Sequence, residues 1–175
     1  MSSVIGFEAA TEADAQALAD LRVTAMRESL ERIGRFDPVR ARERLLSSFD
    51  AAATRHVLAG GVRVGFFVLR TQSGEMVLDH LYIDPRHQGR GIGAAVLAKV
   101  FSEADRLCLD VRVGALKQSA SNRFYMRHGF EPVAQDEWDI RYVRRHRDRD
   151  RTDVSRGSSP SPRPGEPAHP APSRR

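Results

Sequence analysis

The sequence predicts an α+β protein built on a mixed, mostly antiparallel sheet flanked by about four helices. Three observations carry this. Strand-like and helix-like segments alternate over residues 4–143 in the order β-α-α-β-β-β-α-β-α-β-β. Turn signals at Gly60-Gly61 and Thr71-Gln72-Ser73-Gly74 join neighbouring strands as hairpins. One long helical segment, 92–107, separates two strands, as a parallel crossover requires.

Val4–Ala9 reads as the first strand. Thr11 then opens a helix as an N-cap with acid in the first turn, and Leu18, Leu21, Ala25, Leu30 and Ile33 recur at helical spacing up to Gly34. Asp37-Pro38 starts a second helix, with proline at its first position, running to about Phe49. Arg55–Ala59, Val62–Arg70 and Met76–Asp84 are the next strands. Ile92–Leu107 is a helix with Leu97, Val100, Phe101 and Ala104 on one face. Cys108–Val113 reads as a strand, which places Asp110 inside it, and Ser119–His128 as a helix closed by Gly129. Phe130–Ala134 and Trp138–Val143 finish the chain as a hairpin, with Trp138 and Tyr142 as strand packing residues.

A folded domain is expected over 1–146 and a disordered Arg/Pro/Ser-rich tail over 147–175. The tail holds six of the nine prolines and one aliphatic residue larger than alanine, Val154, so it cannot offset its ordering entropy by burial. The net charge of +5 also belongs to the C-terminus, because residues 1–143 carry 19 basic and 19 acidic residues. The high pI therefore says nothing about the folded part. Asp148, Asp150 and Asp153 interrupt the basic run, which favours a solvated tail over a nucleic-acid handle. No apolar run reaches the ~20 residues that cross a bilayer, and the first residues lack the pattern of a secretory signal. No membrane partner and a cytoplasmic location are expected. Cys108, the single cysteine, excludes a disulfide framework and is read as buried and inert; the histidine spacing suggests no metal site.

The chemistry concentrates in Leu81-Tyr82-Ile83-Asp84-Pro85-Arg86-His87-Gln88-Gly89-Arg90-Gly91-Ile92-Gly93-Ala94. A strand runs into a turn with three alternating glycines, and a helix opens directly after it. Unpaired amides and the positive end of the helix dipole make such a start a site for phosphate or pyrophosphate. The dinucleotide pattern G-x-G-x-x-G/A also fits Gly89 to Ala94, but Pro85 to Gln88 separate the glycines from the strand, and no acid follows at a strand end. A second segment, Gln118-Ser119-Ala120-Ser121-Asn122-Arg123-Phe124-Tyr125-Met126-Arg127-His128-Gly129-Phe130, pairs a short helix with a glycine stop.

Together these segments resemble the GNAT-family N-acetyltransferases over roughly residues 4–143. The loop signature Q/R-x-x-G-x-G/A is met by Gln88, Gly91 and Gly93. Tyr125, Gly129 and Phe130 match the second signature, with Gln118 and Ser121 standing where asparagine and alanine are usual. The resemblance implies the GNAT fold and acetyl-CoA as co-substrate. It implies that backbone amides from about Gln88 to Ala94 (Gln88, Gly89, Arg90, Gly91, Ile92, Gly93, Ala94) take the pyrophosphate, and that Leu81, Tyr82 and Ile83 pair with the pantetheine arm. Gln118 and Tyr125 join the cofactor-binding set. Tyr125 stands where the family has the proton donor to the leaving thiolate, and a phenol is protonated at neutral pH. Asp79 and His80, on the central strand, are the candidate bases, directly or through water; structural roles for both and a water chain with no dedicated base stay open. Regular alternation predicts that the two side chains face opposite sides, with Asp79 sharing the face of Leu81 and Ile83, unless a bulge intervenes.

The expected acceptor is a primary amine on a small molecule or a protein, and a homodimer is an open possibility of the family. The acceptor site falls to Met26–Pro38 and Gln135–Trp138, where Glu28, Glu31, Asp136 and Glu137 are candidates to attract a cationic amine. A CoA-binding regulatory or nucleic-acid-associated module working through the basic tail is the alternative.

Overall fold

A computed structural model describes residues 4–147. Apart from Arg147, the predicted tail lies outside the described residues. Among those described, no helix is long and apolar enough to cross a membrane.

Strand β1 (Ile5–Ala9) leads into a single 3-10 turn and helix α1 (Ala15–Arg32). The Asp14 carboxylate organises this start. It accepts from the Thr11 amide and hydroxyl, pairs with Arg63, and lies 3.3 Å from Nε2 of buried His56. Helix α2 (Pro38–Leu46) is capped by Asp37, whose Oδ1 accepts from the amides of Val39 and Arg40 at 3.0 Å. It ends at Leu46, short of the expected Phe49. Strands β2 (Thr54–Ala59), β3 (Val62–Gln72) and β4 (Glu75–Ile83) form a meander. Helix α3 (Ile92–Leu107) then crosses over to β5 (Val111–Leu116), which pairs parallel with β4. Helix α4 (Ser121–Arg127) precedes the hairpin β6 (Glu131–Gln135) and β7 (Asp139–Arg144). The sheet order is β1-β2-β3-β4-β5-β7-β6, with β4–β5 the parallel pair. This is the expected mixed sheet with four helices.

Two apolar layers sandwich the sheet. On one side Leu18, Ala19 and Leu45 from α1 and α2 meet Phe66 and Val68, with Tyr82 alongside. On the other, Ile92, Val96, Leu97, Val100 and Ala104 of α3 meet Met76, Leu78, Val111 and Val113, and Tyr125 and Phe130 extend this layer.

Two expectations about the middle of the chain are corrected. Cys108 does not begin a strand. It is an exposed C-cap of α3 at φ 54°, and its amide closes the last helical turn. The strand starts three residues later, so Asp110 precedes it. There Asp110 accepts from the His146 amide at 2.9 Å and pairs with Arg145 at 2.6 Å. Neighbouring Asp105 holds buried Arg144 through both carboxylate oxygens and accepts from the Arg147 amide at 2.8 Å. Trp138 likewise sits in the turn before β7 and is exposed, whereas Tyr142 is buried in β7 as expected.

Gly65 of β3 faces the end of β4 with no room to spare. A Cβ there would lie 2.5 Å from the Tyr82 carbonyl oxygen and 2.6 Å from Ile83 Cδ1. Both obstacles are held in the sheet, so Gly65→Ala is expected to destabilise the protein by about 2 kcal/mol, the scale of core overpacking. Urea unfolding checks this; an unchanged midpoint would mean that β3 and β4 can part without loss.

Candidate active site

The β4–β5 pairing covers Met76–Leu78 against Val111–Val113 and then stops. Beyond it the two strands splay, and a cleft of about 690 Å³ opens between them. Its walls include Asp79 to Ile83 of β4, Val113 to Leu116 of β5, Tyr125 of α4, and residues of α1 and α2.

The free edge of β4 follows from strand geometry. The Asp84 amide donates to Val64 O at 2.8 Å, toward β3, and the Ile83 carbonyl accepts from Gln88 Nε2 at 2.9 Å on the opposite edge. Amide directions alternate along a strand. The N–H and C=O of Ile83 and Leu81 therefore point toward the splay, where β5 no longer answers them and the Gln88 side chain takes the Ile83 carbonyl.

A bulge decides which side chains face the cleft. β3 pairs Val68 with His80 but Leu69 with Leu78, so Asp79 is the extra residue. The bulge overturns the expectation of opposite faces. Asp79 Oδ2 lies 3.9 Å from His80 Nε2, and both line the cleft. After the bulge His80 and Tyr82 share the α1/α2 side, while Leu81 and Ile83 pack on the α3 side with Leu78.

His80 is 7% exposed, and burial drives its pKa down to about 4. Asp79 opposes that shift, while the fields of Arg22, Arg44 and Arg70 reinforce it. The imidazole is thus neutral at neutral pH, and its Nδ1 is buried with no hydrogen-bond partner among the described residues. Asp79 is 40% exposed and has Arg70 Nε at 3.5 Å.

Tyr125 lies in the opposite wall, buried against Phe124, Phe130 and Tyr142. Burial raises its pKa above the usual phenol range, so the hydroxyl stays protonated. Asn122 sets the position of this helix. Its Nδ2 donates to the carbonyls of Leu116 and Ser119, and its Oδ1 accepts from Tyr142 Oη at 2.8 Å. Sequence reasoning passed over Asn122; an asparagine one turn before a buried tyrosine, in a turn rich in small polar residues, was the available signal.

The glycine turn follows directly from the splayed end of β4. Asp84 caps a 3-10 turn, Pro85–His87, and chelates Arg86 through backbone and side chain. Gln88 ties the turn back to Ile83, and its own amide donates to Pro85 O. Its amide is therefore already engaged, contrary to the expected set. Gly89 and Gly91 take φ values of 73° and 76°, and Gly91 is the residue immediately before α3. The first helical bond runs from Ala95 to Gly91 O. The amides of Gly89 to Ala94 have no partner among the described residues. Gly93 faces Phe124, whose Cζ would lie 3.0 Å from a Cβ, so the start of α3 sits directly against α4. Arg90 donates to the Arg86 carbonyl at 3.1 Å.

Of the expected residues, Asp79, His80, Leu81, Tyr82, Ile83, Gln88 and Tyr125 line one cleft. Gly89 to Ala94 form the turn beyond it. Gln118 does not line the cleft; it has φ 63°, and its carbonyl accepts from Arg32 at 3.1 Å. Three of the four acids named for the acceptor are otherwise engaged among the described residues, Glu137 being the exception. Glu28 pairs with Arg32 and Glu31 with Arg27, while Asp136 caps the hairpin turn through the amides of Trp138 and Asp139 and pairs with Arg141.

Residues 52–132 match a family model described as an acetyltransferase (GNAT) domain. The PaiA N-acetyltransferase from Thermoplasma acidophilum, solved in complex with coenzyme A, is similar with a TM-score of 0.64 at 15% identity, over 82% of this chain and 99% of its own. The GCN5-related N-acetyltransferase from Rhodopseudomonas palustris is similar at 0.67 and 18% identity, over 83% and 98%. The ribosomal-protein-S18-alanine N-acetyltransferase from Escherichia coli is similar at 0.61 and 14% identity, over 81% and 94%. No curated protein matches the sequence. At these identities the likeness is one of fold.

Proposed function

The chain carries a GNAT acetyltransferase domain on the GNAT fold, and from that premise we propose that it transfers an acetyl group from acetyl-CoA to a primary amine by direct attack within a ternary complex. One observation carries this reading: the unanswered β4 edge, the free amides before α3 and a protonated Tyr125 all border the same splayed strands. The turn amides from Gly89 to Ala94 suit a pyrophosphate, with charge-assisted bonds at a helix start. The Leu81 N–H and C=O and the Ile83 N–H suit the amide-rich arm behind it.

The amine nitrogen attacks the thioester carbonyl; a C–N bond forms and the C–S bond breaks. A β4 amide stabilises the charge that develops on the carbonyl oxygen. The attacking nitrogen gives up a proton to His80 or Asp79, directly or through water. Tyr125 donates its hydroxyl proton to the departing thiolate. No acyl-enzyme is proposed, since Cys108, the sole cysteine, is a helix cap away from the cleft.

His80 gives a pH signature. An ordinary histidine titrates near 6.5; here the folded value is about 4. The expected kcat/KM for the amine rises with pH toward the pKa of the amine, with no separate break near 6.5. The same shift makes the unfolded state bind more protons between about 6.5 and 4, so the His80 contribution to stability is present above that window and is lost as pH falls through it. A rate break near 6.5 would mean that His80 is solvated.

Calorimetric titration of the full chain with acetyl-CoA, with NAD and ATP as controls, tests the assignment. Micromolar binding of acetyl-CoA alone is expected. A folded sample that binds no acetyl-CoA would overturn the reading.

A further inference from the structure

The cleft wall opposite the glycine turn is cationic. Arg22 of α1 and Arg40 and Arg44 of α2 line it, and none has a carboxylate within ion-pair distance among the described residues. The neighbouring arginines are different. Arg42 pairs with Asp20, Arg70 with Asp50 and Asp79, Arg112 with Glu75, and Arg141 with Asp136. Of the acids lining the cleft, Asp37 caps α2, Asp136 caps the hairpin turn and Asp79 faces Arg70. Asp139, on the hairpin strand β7 across from the helices, is the one without a side-chain partner among the described residues.

Arg22 is the telling member of the group. It is 5% exposed, and its guanidinium lies 5.7 Å from the Tyr82 ring centroid. One terminal nitrogen donates to the Ala41 carbonyl, while Nε is buried with no partner. A buried guanidinium without a counter-charge is costly, and the usual remedy is an anion. His80 Nδ1, 7% exposed and also unpartnered, lies in the same wall. The roof of the cleft limits the size of what enters. Arg32 donates to the Gln118 carbonyl, and the Arg35 guanidinium lies 3.9 Å from the Trp138 ring centroid, tying the end of α1 and the loop after it to the far rim.

We infer that the acceptor is a small primary amine carrying its own oxyanion, a carboxylate or a phosphate, which Arg22, Arg40 and Arg44 hold while the amine faces the splayed strands. This deepens the acetyltransferase reading and rests on it. It also reverses the expectation that acids attract a cationic acceptor.

Two measurements on the full chain test it. The first is CoA release from acetyl-CoA with matched amines: phosphoethanolamine against ethanolamine, glutamate against its diamide, and spermidine as the cationic arm. Charged hydrogen bonds of about 1.5–3 kcal/mol each predict an advantage of at least about tenfold in kcat/KM for the anionic member of a pair. Whether phosphate or carboxylate leads identifies the oxyanion. The second is calorimetric binding of the same anionic amines to the CoA-saturated chain. Arg44→Glu, on the exposed face of α2, is expected to raise the anionic acceptor's KM about tenfold or more and to leave the KM for acetyl-CoA within about twofold. Arg22→Gln should do the same if it folds, and Arg40→Glu covers the case that it does not. Equal or better use of ethanolamine or spermidine, no binding of any anionic amine by a chain that binds acetyl-CoA, or an Arg44→Glu enzyme with unchanged acceptor KM would each overturn the inference while leaving the acetyltransferase reading in place. Absence of acetyl-CoA binding overturns both.

Discussion

Tyr125→Phe is expected to lower kcat about 10²-fold, the usual scale for removing a positioned proton donor. Its effect on the fold should be small, under about 1 kcal/mol, because the hydroxyl has no hydrogen-bond partner among the described residues. The ring makes the contacts with Phe124, Phe130 and Tyr142, and phenylalanine keeps it. The loss should therefore fall on turnover, with acetyl-CoA affinity and the thermal midpoint almost unmoved. Steady-state kinetics and calorimetry read the two separately. A variant that turns over within about twofold of the parent would remove Tyr125 from the chemistry and leave it a packing residue.

Gly91→Val is the second large effect, and it acts through backbone alone. A Cβ at Gly91 would meet nothing within 4 Å, so no clash is created. The penalty comes from φ 76° immediately before α3, a region that costs an L-residue about 1–2 kcal/mol, and a β-branched one more. Relaxing that strain turns the amides of Arg90 to Gly93 away from a common point. Losing two charge-assisted bonds of about 1.5 kcal/mol or more predicts acetyl-CoA binding weaker by about 10²-fold. The circular dichroism spectrum should not change, since the turn is exposed and outside the core. Affinity within about threefold of the parent would show that these amides do not hold the phosphates.

The reach of the sequence differed from element to element for physical reasons. Helix α3 was readable to the residue, because a glycine before Ile92 and a periodic apolar face to Leu107 are local signals. β5 was misplaced by three residues. Cys108-Leu109-Asp110-Val111 continues the alternation of the strand backward, while the chain actually turns at a left-handed Cys108. What fixes that turn is distant: Arg144, Arg145, His146 and Arg147, some 35 to 42 positions away, bind Asp105 and Asp110. In the site, the glycine turn and Tyr125 were legible because each sits in a contiguous pattern. The unpaired arginines were not. Arg22, Arg40 and Arg44 lie on two helices rich in arginine, and only packing separates the three without carboxylates from neighbours such as Arg42.

The extra residue in β4 makes the direction of a change in chain length, rather than residue identity, the constrained quantity at that point. Replacing Asp79 removes one carboxylate from the rim. Deleting it would join Leu78 to His80 in regular alternation, and the period-two ribbon then keeps its faces without a bulge. His80 and Tyr82 would stay on the α1/α2 side and Leu81 and Ile83 under α3, whereas a residue inserted between His80 and Leu81 would turn Leu81 and Ile83 out beneath the arginines. Insertions between His80 and Ile83 should accordingly abolish the protein, while deletion of Asp79 and point substitutions at position 79 should leave it folded.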